Sequence, residues 1–277
     1  MDWRGLRESD NIEDRRGSGG LLVGGGVIGT IIAAVIYLLG GNQSAVLPPS
    51  QQAPASQNTR SMSTEDDSTK HFVGVVLAET EDVWGKLFTE MGKHYSKPKL
   101  VLFTRSTQSG CGGASSATGP FYCPSDQKVY LDISFFNEMQ NRFNVAGNFA
   151  SAYVVAHEVG HHVQDLLGIS SRVSRLQQQG NQSEANKLSV KLELQADFMA
   201  GIWAHYAKDL HNNISLEDIQ SALNAANAIG DDRLQKEAQG YVVPDAFTHG
   251  TSKQRMYWFK KGFDTGDISK GDTFLEN

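Results

Sequence analysis

Between Gly17 and Thr59 the chain carries no charged side chain, and from Leu21 to Leu39 it reads LLVGGGVIGTIIAAVIYLL, apolar or small at nearly every position. A helix of that length, rising about 1.5 Å per residue, is roughly 28 Å long, close to the hydrocarbon thickness of a bilayer. The pattern predicts a single N-terminal transmembrane helix over 21–41, and the absence of a small-x-small site after it argues against a removable signal peptide. Arg4, Arg7, Arg15 and Arg16 precede the run and the next basic residue is Arg60, so the positive-inside bias puts residues 1–20 in the cytoplasm and the rest outside the cytoplasmic membrane. Gly25, Gly29 and Ala33 recur every four residues, a stripe on which two such helices can self-associate. Residues 42–69 are rich in Ser, Gln, Pro and Ala and lack aromatic residues, which predicts a flexible linker.

Beyond residue 70 the periodicity changes. Val73, Val76 and Leu77, then Val83, Trp84, Leu87, Phe88 and Met91 recur at helical spacing with acids and lysine between them, an amphipathic helix. KLVLFT and KVYLDI read as strands, separated by a Gly, Ser and Pro segment that holds both cysteines. From about Val145 the chain reads as helix almost to its end, with breaks near 180 and 245. These elements predict an α+β fold: a mainly helical domain over 70–277 with a small β-sheet, behind the membrane helix and its tether.

Composition narrows the function. With 39% hydrophobic and 20% charged residues in 277, the chain can build one sizeable core. A net charge of −6 gives no reason to expect the basic face that a phosphate backbone needs, so no nucleic-acid partner is expected. Cys111 and Cys123 are the only cysteines. No second C-x-x-C accompanies them and the predicted topology is extracytoplasmic, so they are expected to form a disulfide.

Residues 156–162 read AHEVGHH, placing His157, Glu158 and His161 in the pattern H-E-x-x-H. The surrounding apolar residues have helical spacing and stop at Gly168, so the two imidazoles stand one turn apart on one face, where both reach one metal ion and Glu158 can serve as general base. A hydrolytic zinc site takes three protein ligands and keeps a position open for water. The metzincin extension is absent, because Gln164 and Leu167 occupy its Gly and His positions. A third ligand is offered by KLELQADFMAGIWAHY, where Glu193 and Asp197 lie at i and i+4 on an otherwise apolar helix. Two acids on such a helix are costly unless paired or metal-bound. Glu193 as ligand, with Asp197 receiving the second imidazole N–H of a ligand histidine, meets both requirements; Asp197 and His205 are the alternative ligands on this helix. His71, His94, His162, His205 and His211 are read as surface or satisfied core histidines.

HEVGHH followed by ELQAD resembles the gluzincin peptidases, whose pattern is H-E-x-x-H with a later E-x-x-x-D. Together with WRGLRESDNIEDRRG, GPFYCPSDQKVYLD and THGTSKQRMYWFKKGFDTGD, these strings make nearly the whole chain similar to a bacterial family of neutral zinc metallopeptidases. The resemblance implies a zincin-like domain, Zn2+ held by His157, His161 and Glu193, and a Glu158-activated water attacking a peptide or protein substrate. It also implies a later His or Tyr steadying the oxyanion, for which His249 is the candidate with Tyr241 and Tyr257 behind it, and an edge strand aligning the substrate, for which KVYLDI is well placed. The expectation is a membrane-anchored zinc endopeptidase; the alternative is an envelope protein that binds zinc and a partner without cleaving.

Overall fold

The computed structural model describes residues 1–16, 64–143, 148–211 and 213–275. Its sheet grows from the two β-rich runs. Strands β2 (Lys99–Phe103) and β6 (Lys128–Asp132) pair in parallel, with Leu100 beside Val129 and Leu102 beside Leu131. Strand β5 (Phe121–Cys123) lies antiparallel to β6 at one edge, and β1 (Ile12–Asp14) lies parallel to β2 at the other, giving the order β1-β2-β6-β5. Successive side chains of a strand point to opposite faces. Leu100, Leu102, Val129 and Leu131 therefore join the main core under the helices, while Val101, Phe103 and Tyr130 meet Phe121, Cys123 and Ala114 in a small core on the other face. That face is covered by the hairpin of β3 (Ser106–Ser109) and β4 (Gly112–Ser115), tied to β5 by the expected disulfide between Cys111 and Cys123, whose Cα atoms are 5.8 Å apart.

The helices are α1 (Thr64–Glu90), α2 (Ser134–Phe143), α3 (Asn148–Leu166), α4 (Ile169–Gln177), α5 (Gln182–His211), α6 (Leu216–Ala228), α7 (Asp231–Gln239) and α8 (Ser252–Thr265). Helix α3 is buried on all sides from Ala152 to Gln164, as expected of a helix at the centre of a core. Glycines let its neighbours close in. A Cβ on Gly201 of α5 would lie 2.1 Å from the Phe259 carbonyl oxygen, and one on Gly262 of α8 would lie 2.1 Å from that of Phe198. Helices α5 and α8 thus touch backbone to backbone.

Three expectations are corrected. The first is the transmembrane fold: among the described residues no helix is long and apolar enough to cross a membrane, since each long helix sets acids or imidazoles into its apolar run, Glu79 and Glu81 in α1, His157 and Glu158 in α3, Glu193 and Asp197 in α5. Residues 21–41, with the Gly25, Gly29 and Ala33 stripe, lie outside the described residues. The second is the single-pass location in the bacterial inner membrane with an extracytoplasmic catalytic domain, which falls with the same finding. The N-terminal segment assigned there to the opposite side of the membrane pairs in the domain's own sheet through β1. Arg7 binds Asp82 and the Ala78 carbonyl, Asn11 binds Glu81, and Arg16 and Lys70 meet across Asp14. The third is KVYLDI as an edge strand: β6 is paired on both sides, and the edge strands are β1 and β5.

Candidate metal centre

Helix α3 crosses α5 at Gly160, where an added Cβ would lie 3.0 Å from the carbonyl oxygen of Ala196 and 3.2 Å from its Cα. This close approach sets His157 and His161, on one face of α3, opposite Glu193 on α5. One ligand atom from each of the three residues lies within 4.8 Å of the others, and all three side chains are buried. His157 Nε2 is 3.1 Å from Glu193 Oε2 and His161 Nε2 is 3.4 Å from Glu193 Oε1. Of the three acceptors the sequence offered on this helix, Glu193 alone joins the pair. Asp197 lies against the far nitrogen of His157, and the His205 Nδ1 lies 2.7 Å from the Phe263 carbonyl oxygen.

Each imidazole is held through its Nδ1. His157 Nδ1 lies 2.9 Å from Asp197 Oδ1. Asp197 accepts from Tyr153 Oη and, in bidentate fashion, from Arg255, with Nε at 2.8 Å and Nη2 at 2.9 Å. His161 Nδ1 lies 2.9 Å from Gln164 Oε1. Gln164 Nε2 donates to the Leu192 carbonyl at 2.8 Å and to Gln195 Oε1 at 3.1 Å, which fixes the amide so that its oxygen faces the ring. Gln164 thus takes the Nδ1 side of His161 and leaves Nε2 facing Glu193.

Burial alone would hold Glu193 protonated, but the charge of His161 and the hydrogen bond with His157 bring its pKa well below the usual carboxylate range. Burial would likewise strip the proton from His157; Asp197 outweighs that and, with Glu193, holds its pKa above the ordinary histidine range. The two carboxylates thus favour positive charge between them, the kind of charge a divalent cation supplies. At this site two buried atoms, His161 Nε2 and Glu158 Oε2, have no hydrogen-bond partner among the described residues, and side by side with the converging ligand set they point to something that satisfies them. Two imidazole nitrogens and a carboxylate with an open position fit zinc. Glu158 sits beside the Tyr122 backbone of β5, and burial, opposed by the charges of His157 and His161, raises its pKa above the usual carboxyl value.

His249 is buried on the loop before α8. Its Nδ1 is 3.1 Å from Asp231 Oδ1, and Asp231 Oδ2 accepts from the backbone N–H groups of Thr248, His249 and Gly250. Burial would lower the His249 pKa; the bond to Asp231 and the charge of Glu193 raise it. Tyr241 and Tyr257 are exposed, and among the described residues no hydrogen bond joins either to the three ligands. His162 is a satisfied core histidine, set between the Ser96 carbonyl and the Tyr122 hydroxyl. Asp231, Gln164 and Arg255 escaped the sequence analysis. Asp231 opens a helix, where an acid is ordinary; only Arg255, the one cation on the α8 stripe of Ser252, Trp258, Phe259 and Gly262, left a readable signal.

A family model described as "Putative neutral zinc metallopeptidase" matches residues 1–274. An uncharacterized protein of Escherichia coli strain K12, YpfJ, is 50% identical over 291 aligned residues that cover 99% of each chain. An uncharacterized protein of Mycobacterium tuberculosis strain H37Rv is 46% identical over 190 residues, covering 65% of this chain and 63% of that one. No solved structure matches.

Proposed function

The chain belongs to the family of neutral zinc metallopeptidases, and on that premise we propose that it is a zinc-dependent endopeptidase that hydrolyses peptide bonds in peptide or protein substrates with Glu158 as general base. The observation that carries this reading is the convergence of His157, His161 and Glu193 beside the orphaned Oε2 of Glu158. Zinc, when bound, supplies Lewis acidity and a water acidified toward neutral pH. His157, His161 and Glu193 hold the ion. Asp197, itself neutralised by Arg255, keeps His157 in the tautomer that offers Nε2, and Gln164 does the same for His161.

Glu158 takes the proton of the attacking water on its free oxygen and delivers it to the leaving amine. Its raised pKa suits both halves of that transfer near neutral pH. His249, steadied at Nδ1 by Asp231, offers its Nε2 side to the oxyanion that develops on the scissile carbonyl. The substrate backbone aligns along the free edge of β5, whose Tyr122 backbone lies beside Glu158. The intact, solvent-free Glu158 favours this over a zinc protein that only binds.

The full chain should contain about one zinc per molecule and cleave an unfolded protein, with a chelator abolishing the cleavage and added zinc restoring it. Glu158→Gln should keep the metal and lose turnover. Absence of zinc, or cleavage by Glu158→Gln at the wild-type rate, would refute the proposal.

A further inference from the structure

Helix α5 presents Glu193 and Asp197 to the metal centre and, on its opposite side, Gln195, Phe198 and Met199 to a cavity of about 690 Å³ between α4 and the segment 268–275. The floor is apolar, built by Val173, Leu188, Phe198, Met199, Ile268 and Phe274. Its polar lining groups are almost all committed elsewhere. Gln195 accepts from Gln164 and donates to the Gly271 carbonyl at 2.8 Å; Ser269 donates to Asp267. Glu184 and Asp272 accept from the backbone N–H groups of Asn181 and Phe274, and Lys191 donates to the Phe274 carbonyl at 3.2 Å. A ligand in the body of this cavity therefore meets mainly apolar surface, which favours an apolar chain there. At the solvent side Arg172 and Lys187 are exposed, and among the described residues neither side chain has a partner. The lining cations, Arg172, Lys187 and Lys191, outnumber the carboxylates Glu184 and Asp272 by one, which matches a single negative charge.

We propose that this cavity binds one aliphatic chain ending in a carboxylate, with the chain on the floor formed by α4 and α5 and the carboxylate between Arg172 and Lys187. The volume lies in the range of small-molecule sites, about 300–1,000 Å³, and the two free cations give the carboxylate charge-assisted hydrogen bonds.

The test titrates the full chain with cis-parinaric acid, a fluorescent long-chain carboxylate, below its micellar concentration, and competes it with hexadecanoate and with hexadecanol. Saturable binding at one molecule per chain is expected. Arg172→Glu combined with Lys187→Glu should weaken both carboxylates by about tenfold or more, the loss of one good ion pair, while leaving the alcohol unchanged. Val173→Asp, or the cavity-filling Leu188→Trp if the first fails to fold, should weaken acid and alcohol alike. No saturable binding, equal loss of acid and alcohol on charge reversal, or binding only to phosphatidylglycerol vesicles would overturn the assignment. None of these readouts depends on zinc or on peptidase activity.

Discussion

Gly160→Ala probes whether the contact between α3 and α5 sets the metal site. The new methyl would meet the Ala196 carbonyl oxygen at 3.0 Å, the Ala196 Cα at 3.2 Å and the Met199 Cβ at 3.3 Å. Two of those atoms are helix backbone and cannot rotate away. Comfortable contact begins at about 3.5 Å, so the helices must part by roughly half an ångström. Overpacking of this kind costs about 1–3 kcal/mol. For a domain of this size each kcal/mol moves the melting point by roughly 2–4 °C, so a fall of about 2–12 °C is expected for the metal-free protein. His161 is the next residue along α3 and Glu193 lies one turn before Ala196, so the separation widens the ligand gap itself. Metal sites require ligand distances within about 0.2 Å, and zinc affinity should drop by about tenfold or more. Gly85→Ala is the control: nothing lies within 4 Å of its Cβ position, and alanine at such an open position in a helix interior should add about 0.5–1 kcal/mol of stability. Thermal unfolding followed by circular dichroism gives the first quantity and competition with a chromophoric chelator the second. Gly160→Ala with unchanged stability would refute the packing argument; lowered stability with unchanged zinc affinity would refute the link to ligand geometry.

Glu193→Ala should release most of the zinc, whereas Asp197→Ala, which removes an outer partner, should weaken it by about 10–100-fold; metal analysis after dialysis gives the order, and the reverse order would reassign the third ligand. Glu79 is buried on α1 with one oxygen bonded to Asn213 and the other unpartnered, and burial raises its pKa to about 7. Its folded form binds more protons than the unfolded chain between the ordinary carboxyl value and about 7, so it lowers stability progressively as pH rises through that window. Glu79→Gln should flatten that loss and raise the melting point at pH 8, and a variant with the wild-type slope would exclude Glu79 as its source. A tag on the N-terminus and one on the C-terminus should be accessible to an impermeant label together or not at all in intact cells, because β1 and the domain share one sheet; opposite accessibility would show that β1 leaves it.

The metal ligands were legible because the signal is local: two histidines one helical turn apart, and two acids on an apolar helix that needs a reason to hold them. The residues that fix those ligands were not. Arg255 reaches Asp197 from 58 residues away, Asp231 reaches His249 from 18 away, and Gln164 is an unremarkable polar residue until its amide is pinned by Leu192. Strand β1 was missed because Ile12–Asp14 carries two acids in three residues. Only an edge position beside β2, with solvent on one side, lets so polar a segment pair. β5 is a three-residue strand beside a proline, too short for alternation to register, and the longer KVYLDI drew the edge assignment instead.

Arg16, just before residues 17–63, pairs with Asp67, just after them at the start of α1. Residues 1–16 are in this sense a tethered ligand of the domain: a short strand and a few ion pairs, kept in place by the high local concentration that covalent connection provides. One proteolytic cut between 17 and 63 would turn that ligand into a second molecule. Its occupancy would then follow mass action, and the melting temperature of the nicked protein would rise with protein concentration where that of the intact chain does not.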